Sequence, residues 1–127
     1  MHVLQSRVLL RPRDFDRAVA FYEEQLGLVR YRDWGDPVSG VVYFLGGGYL
    51  ELTAGGDDAP APTGFRLWLQ VADLDATVAE LEGQGVPIDA RPERKPWGLL
   101  EATVHDPEGT ELVLVETPVD HPLRRRR

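Results

Sequence analysis

The chain contains no cysteine, so it has neither a disulfide framework nor a thiolate nucleophile, and any metal site would have to be built from histidine and carboxylates. Histidine is scarce too. Of the three, His2 falls an odd number of residues before position 7 and so on the opposite strand face; His105 precedes an Asp-Pro turn that it is expected to hydrogen-bond; and His121 sits in a Pro-flanked tail expected to be solvated. No two have the spacing of a metal motif. No apolar run approaches the roughly 20 residues that cross a bilayer, and the N-terminus lacks a basic stretch followed by an apolar one. A cytoplasmic protein with no membrane partner is expected. Also missing are a Ser nucleophile elbow and a Gly-rich phosphate loop, because Gly46-Gly47-Gly48 lies between two strand-like segments rather than ahead of a helix.

What is present is an ordinary globular composition: 127 residues, 43% hydrophobic and 28% charged, enough for a single domain with one core. The net charge is −7, and without the terminal run Arg124 to Arg127 it is −11, with ten basic side chains against 21 acidic ones. Such an acidic body repels a phosphate backbone, which excludes nucleic acid as the expected partner and favours cations. The Arg run reads as a solvated end.

Hydrophobic spacing gives the elements. Val3 to Leu10 reads as a strand, Asp14 as a helix N-cap, and Phe15, Ala18, Val19, Tyr22 and Leu26 as one helical face stopped by Gly27. Leu28 to Trp34, Val41 to Leu45 and Tyr49 to Thr53 read as strands, the last two joined by the glycine turn. After a Gly-, Pro- and Asp-rich linker, 55–63, the order repeats. Phe65 to Val71 is a strand, Asp73 caps a helix to about Glu82, and Val86 to Ala90, Leu99 to Val104 and Thr110 to Glu116 are strands. A shift of 59 residues lays Asp14-Phe15-Asp16 on Asp73-Leu74-Asp75, which points to an internal duplication. The fold expected is α+β: two tandem βαβββ modules, about 1–54 and 64–117, forming a curved mixed sheet with a concave cavity in one domain, 1–117, followed by a tail, 118–127.

The segments Asp14 to Tyr22 with Leu26-Gly27-Leu28, Tyr49-Leu50-Glu51-Leu52, Val71-Ala72-Asp73-Leu74 and His105-Asp106-Pro107-Glu108-Gly109, in that order, resemble the vicinal oxygen chelate superfamily. That superfamily includes glyoxalase I, extradiol dioxygenases and bleomycin-resistance proteins, some of which bind metals and catalyse while others bind drugs and catalyse nothing. The resemblance implies four metal-ligand positions on the concave face. Counting from the helix caps and the last turn, they fall on Arg7, Glu51, Arg66 and Val113. Only Glu51 is a ligand type, and guanidinium groups that cannot shed their protons oppose a divalent cation. No metal and no cofactor are therefore expected.

Strand alternation places the same groups without the resemblance. Arg66, Trp68 and Gln70 share one face, and Phe65, Leu67, Leu69 and Val71 the helix-packing face; Tyr49 and Glu51 oppose Leu50 and Leu52; Arg7 and Leu9 oppose Val8 and Leu10; Val113 opposes Leu112 and Leu114. On one reading Arg7 or Arg66 simply pairs with Glu51 on a solvated or dimer-buried surface. On the other these groups bind a ligand, with Trp68 and Tyr49 stacking on a planar molecule while Glu51 and the arginines fix its polar edges. Trp34, at a strand end, and Trp97, in the loop Arg94 to Gly98, are further candidates for ligand or dimer contacts.

The function expected is metal-independent binding of a small aromatic or cationic natural product by a homodimer similar to the bleomycin-resistance branch, with no catalytic residue. The alternative is a lyase, isomerase or oxygenase with Glu51 as base or sole retained metal ligand.

Overall fold

A computed structural model describes residues 1–61 and 63–122. The chain forms two compact units, Met1–Ala61 and Pro62–Arg127, each a βαβββ module with its own four-stranded mixed sheet. This is the α+β architecture that the sequence pattern implies. The reading of Arg124 to Arg127 as a solvated end lies outside the described residues, as does Pro62 of the linker.

In the first unit, β1 (Arg7–Leu10) pairs in parallel with β4 (Gly48–Thr53), which pairs antiparallel with β3 (Gly40–Leu45), and β2 (Arg30–Trp34) lies at the edge. The expected strand from Val3 is cut to four residues for a geometric reason. Tyr49 N still donates to Ser6 O at 3.1 Å, but a parallel partner for Gln5 and earlier residues would have to come from before Gly48, where the chain is already turning at Gly46-Gly47. Asp14 caps the helix as expected, its Oδ1 accepting from Arg17 N at 3.0 Å. The helix is not uniform, however. α1 (Phe15–Val19) widens into a π-helical turn over Ala20–Gln25, with Leu26 N donating to Phe21 O at 2.8 Å, before Gly27 at φ +75° ends it. Hydrophobic spacing alone does not distinguish this wider turn from a regular one.

The second unit repeats the topology with β5 (Leu67–Gln70), α2 (Leu74–Gly83), β6 (Ala90–Arg94), β7 (Leu100–His105) and β8 (Glu111–Glu116), in sheet order β5-β8-β7-β6. Asp73 caps α2 by accepting from Ala76 N at 3.0 Å. The sixth strand is displaced from the expected Val86 to Ala90. Val86 is buried and its N–H bonds back to Leu81 O at the helix end, and Pro87 has no N–H to give a ladder, so pairing with β7 is taken up from Ala90 onward. The turn before β8 is held by buried Asp106, whose Oδ1 accepts from Glu108 N at 2.9 Å and Thr110 N at 2.8 Å.

Each unit buries the helix-facing side of its sheet. Leu50 and Leu52 in one, and Leu112 and Leu114 in the other, are almost wholly removed from water, each contributing roughly 1.5–3 kcal/mol of apolar burial. Because side chains alternate, that burial fixes which residues the opposite face presents.

Candidate functional site

In the first unit the outward face carries the predicted residues together. Arg7 stands beside Tyr49, and Leu9 beside Glu51, in the β1–β4 register. The Arg7 Nη1 donates to Glu51 Oε1 at 2.9 Å, and its guanidinium carbon lies 5.8 Å from the centre of the Tyr49 ring. Both charged side chains are largely covered, with 30% and 18% of their surfaces exposed, so the pair is a tethered, mutually neutralised group rather than two free charges. Leu9 is exposed beside it.

The structure adds aromatic residues that strand reading missed. Phe44 lies directly across from Tyr49, and Tyr31 completes the cluster, with ring centroids 5.1, 5.3 and 5.7 Å apart. Phe44 was readable from the glycine turn: a two-residue connection pairing Leu45 with Gly48 forces Phe44 opposite Tyr49. Tyr31 was not, because it reaches this face through a bulge. Arg30 pairs with Tyr43 and Arg32 with the adjacent Val42, so Tyr31 is the extra residue. Further along the same strand the Trp34 ring covers Gly40, where an added Cβ would lie 2.0 Å from it, and Arg32 sits 5.6 Å above the ring. Trp34 is thus seated on its own sheet.

Behind this face, buried Tyr43 donates its hydroxyl to Glu23 Oε1 at 3.2 Å, and the same oxygen accepts from Arg30 Nε at 2.7 Å. Burial, then the nearby Glu23 charge, pushes the Tyr43 phenol well above its usual range. Hydrogen bonds to Asp33 and then Glu23 hold the Arg30 guanidinium above its ordinary value.

In the second unit, Gly64, Phe65, Arg66, Trp68 and Val113 line an open hollow of ≈510 Å³. Two expectations change here. Arg66 precedes β5 rather than lying in it, and Phe65, expected against the helix, is 42% exposed and lines the hollow. Alternation fails at Phe65 because in this register it falls level with Thr110, before β8 begins at Glu111, so it has no parallel partner to hold its pleat. Val113 forms the apolar floor, packed with Leu99 and Val115, and Trp68 stands directly beside it, half exposed. Gln70 is exposed on the same strand but outside the lining of the hollow.

Trp97 is tied down: its Nε1 donates to Glu101 Oε2 at 2.7 Å, and the ring of His121 lies on Gly98 with Nε2 3.1 Å from the Trp97 carbonyl oxygen. His121, expected in solvent, therefore holds this loop. His105 bonds Asp89, Nδ1 to Oδ2 at 2.7 Å, across the β6–β7 side of the sheet rather than the turn it precedes. His2 is exposed.

The four positions where the resemblance implies metal ligands do not fit a divalent cation. They hold two guanidinium groups, a valine, and one carboxylate already engaged by Arg7. Among the described residues, no three His, Asp or Glu side chains converge as a metal-binding group.

Comparison with known proteins places this geometry. The family model for the Glyoxalase/Bleomycin resistance protein/Dioxygenase superfamily matches residues 4–114. The chain belongs to that superfamily. No curated protein matches it in sequence. Among solved structures it is similar to a bleomycin resistance determinant encoded on the transposon Tn5 (28% identity, 91% of this chain and 98% of that one, TM-score 0.70). It is similar also to a bleomycin-binding protein complexed with bleomycin (27%, 91% and 100%, TM-score 0.70). A lactoylglutathione lyase from Agrobacterium tumefaciens (20%, 90% and 92%, TM-score 0.65) shares the fold. Superfamily membership thus spans drug-binding and catalytic relatives. Among the described residues no helix is long and apolar enough to cross a membrane.

Proposed function

We propose that this superfamily member is a metal-independent binding protein that takes up a small aromatic natural product and releases it unchanged. The observation that carries the reading is the state of Glu51. The one carboxylate at the implied ligand positions is bonded to Arg7 at 2.9 Å, an arrangement that engages one of its oxygens and sets a fixed cation where a metal would sit. Around it and around Arg66 stand exposed rings: Tyr31 and Phe44 in one unit, Phe65 and Trp68 in the other. Exposed aromatics beside guanidinium groups suit flat molecules with polar edges. In this reading Arg7, Leu9, Tyr49 and Glu51 contact ligand in the first unit, and Arg66, Trp68 and Val113 in the second, with Trp34, Gln70 and Trp97 at the margins. The two bleomycin-named relatives, at 27% and 28% identity, favour binding of this kind. A cytoplasmic homodimer is part of the same proposal, and sedimentation of the purified protein tests the dimer.

The deciding experiment is a tryptophan-fluorescence titration of metal-stripped protein with bleomycin-type, mitomycin-type and other aromatic natural products, with Zn²⁺ and Ni²⁺ titrated in parallel. Saturable quenching by an organic compound without metal, the compound being recovered intact, is the expected result. Conversion of the compound, or binding that requires either metal, overturns the proposal and favours a lyase, isomerase or oxygenase.

A further inference from the structure

The geometry points to the hollow of the second unit as a site for aromatic carboxylates, with Arg66 as the group that selects the acid. This rests on the binding reading above and narrows it to a ligand class for one site. The hollow has three kinds of wall. Phe65 and Trp68 present exposed rings, Val113 presents an apolar floor, and Arg66 presents a guanidinium. Its ≈510 Å³ falls within the roughly 300–1,000 Å³ usual for small-molecule pockets, ample for a two-ring system.

The charge of the hollow decides the ligand. Among the described residues, the nearest carboxylate to Arg66 is Glu111, at 4.0 Å and with both side chains well exposed (64% and 43%). A contact at that length is a weak, solvent-screened attraction without a hydrogen bond, leaving the planar donor edge of the guanidinium available. A carboxylate matches that edge with two parallel charge-assisted bonds, which neither a neutral amide nor an ammonium can make. The position that carries Glu51 in the first unit carries Val113 here, so no built-in acid lies on the floor to repel the ligand. The net charge of −7 draws cations toward the protein at long range, but contact chemistry in this hollow runs the other way.

The test is isothermal titration calorimetry with three matched probes: 2-naphthoate, 2-naphthamide and 2-naphthylmethylammonium. They are titrated into the wild type, Arg66→Met, Arg91→Met and Trp68→Ala, with circular dichroism confirming that each variant is folded. The wild type is expected to bind the carboxylate at least about tenfold tighter than either other probe, the ratio a charged hydrogen bond supplies. Arg66→Met is expected to bring the three probes within about twofold of one another, Arg91→Met, outside the hollow and paired with Glu82, to leave the preference intact, and Trp68→Ala to weaken all three together. Equal binding of the probes, preference for the ammonium, a preference that survives Arg66→Met, or no binding of the naphthoate overturns the inference. None of these results touches the natural-product titration, which alone decides whether the protein is a binding protein.

Discussion

Arg7 and Arg66 stand at matching places in the two units, and their surroundings are opposite. In the first unit β1 sets Arg7 beside Tyr49 and Leu9 beside Glu51; in the second β5 sets Trp68 beside Val113, which puts Arg66 level with Glu111. Leu9 thus corresponds to Trp68, and Glu51 to Val113. One guanidinium is neutralised at 2.9 Å and laid against a tyrosine, while among the described residues the other reaches no carboxylate closer than 4.0 Å, and it borders a hollow. The difference teaches that a duplicated backbone fixes where side chains point and leaves their charge state to individual substitutions. The aromatic surface has moved as well: Phe44 and Tyr49 oppose each other in the first unit, and His105 and Glu111 hold the matching pair in the second.

The sharpest way to break the comparison is to exchange the residues that distinguish the units. Val113→Glu places a carboxylate where only 5% of the residue is exposed, in contact with Leu99 and Val115. Burying a charge there is expected to cost on the order of 3 kcal/mol, read as a lower urea midpoint at unchanged slope. The reciprocal Glu51→Val is expected to cost only about 1 kcal/mol, because Arg7 keeps partial access to water. Equal costs would mean that the two positions share one environment, and the contrast would fail.

Trp68 comes next. If the hollow holds the ligand, Trp68→Ala is expected to weaken binding of the natural product by roughly 1–3 kcal/mol with no loss of fold, since the ring is half exposed and supports little of the core. Leu9→Ala, its counterpart, removes less area and no ring and should shift affinity by less. Wild-type affinity in Trp68→Ala would remove the hollow from the binding surface.

Tyr43 sharpens the comparison through pH. Its phenol is held above the usual value of 10.0, so the folded protein retains that proton when the unfolded chain has lost it. Stability from this group is complete below about pH 10 and falls as pH rises beyond it, with a slope approaching about 1.4 kcal/mol per pH unit. All four tyrosines of the chain belong to the first unit, and the residue matching Tyr43 beside the second unit's sheet is Val104. Tyr43→Phe is expected to cost about 1 kcal/mol at neutral pH through the lost bond to Glu23 and to flatten the alkaline slope. A slope above pH 10 unchanged by the substitution would assign that sensitivity elsewhere.

Much of this was legible in the sequence because burial and capping are local. Asp14 and Asp73 declared both helices, and alternation along Tyr49 to Thr53 and Arg7 to Leu10 declared the outward faces. What was not legible depends on pairing between distant segments. The 59-residue shift holds at the caps and has drifted by the last strands, where Val104 matches Tyr43 and Val113 matches Glu51, because the connections between strands differ in length in the two units. The bulge at Tyr31 and the late start of β5 that frees Phe65 likewise arise from how each strand pairs with its partner. The Arg7–Glu51 pair was one of two readings open in sequence, since alternation puts both arginines on the face of Glu51 and only the register tells which one reaches it.

The smallest expected effect is at that pair, and it bears on function most directly. Glu51→Gln keeps the shape of the side chain and can still accept from Arg7, but it removes the charge that any base or metal ligand would need. For a binding protein the consequence is slight, with affinity for an aromatic natural product expected within about threefold of wild type, less than 1 kcal/mol. An enzyme relying on Glu51 would lose turnover by orders of magnitude while still binding. Measuring affinity and product formation on the same variant therefore separates the two: unchanged affinity with no turnover in either protein supports the neutralised pair as a binding wall. Turnover present in the wild type and absent in Glu51→Gln would show that Arg7 positions a working carboxylate instead of silencing it.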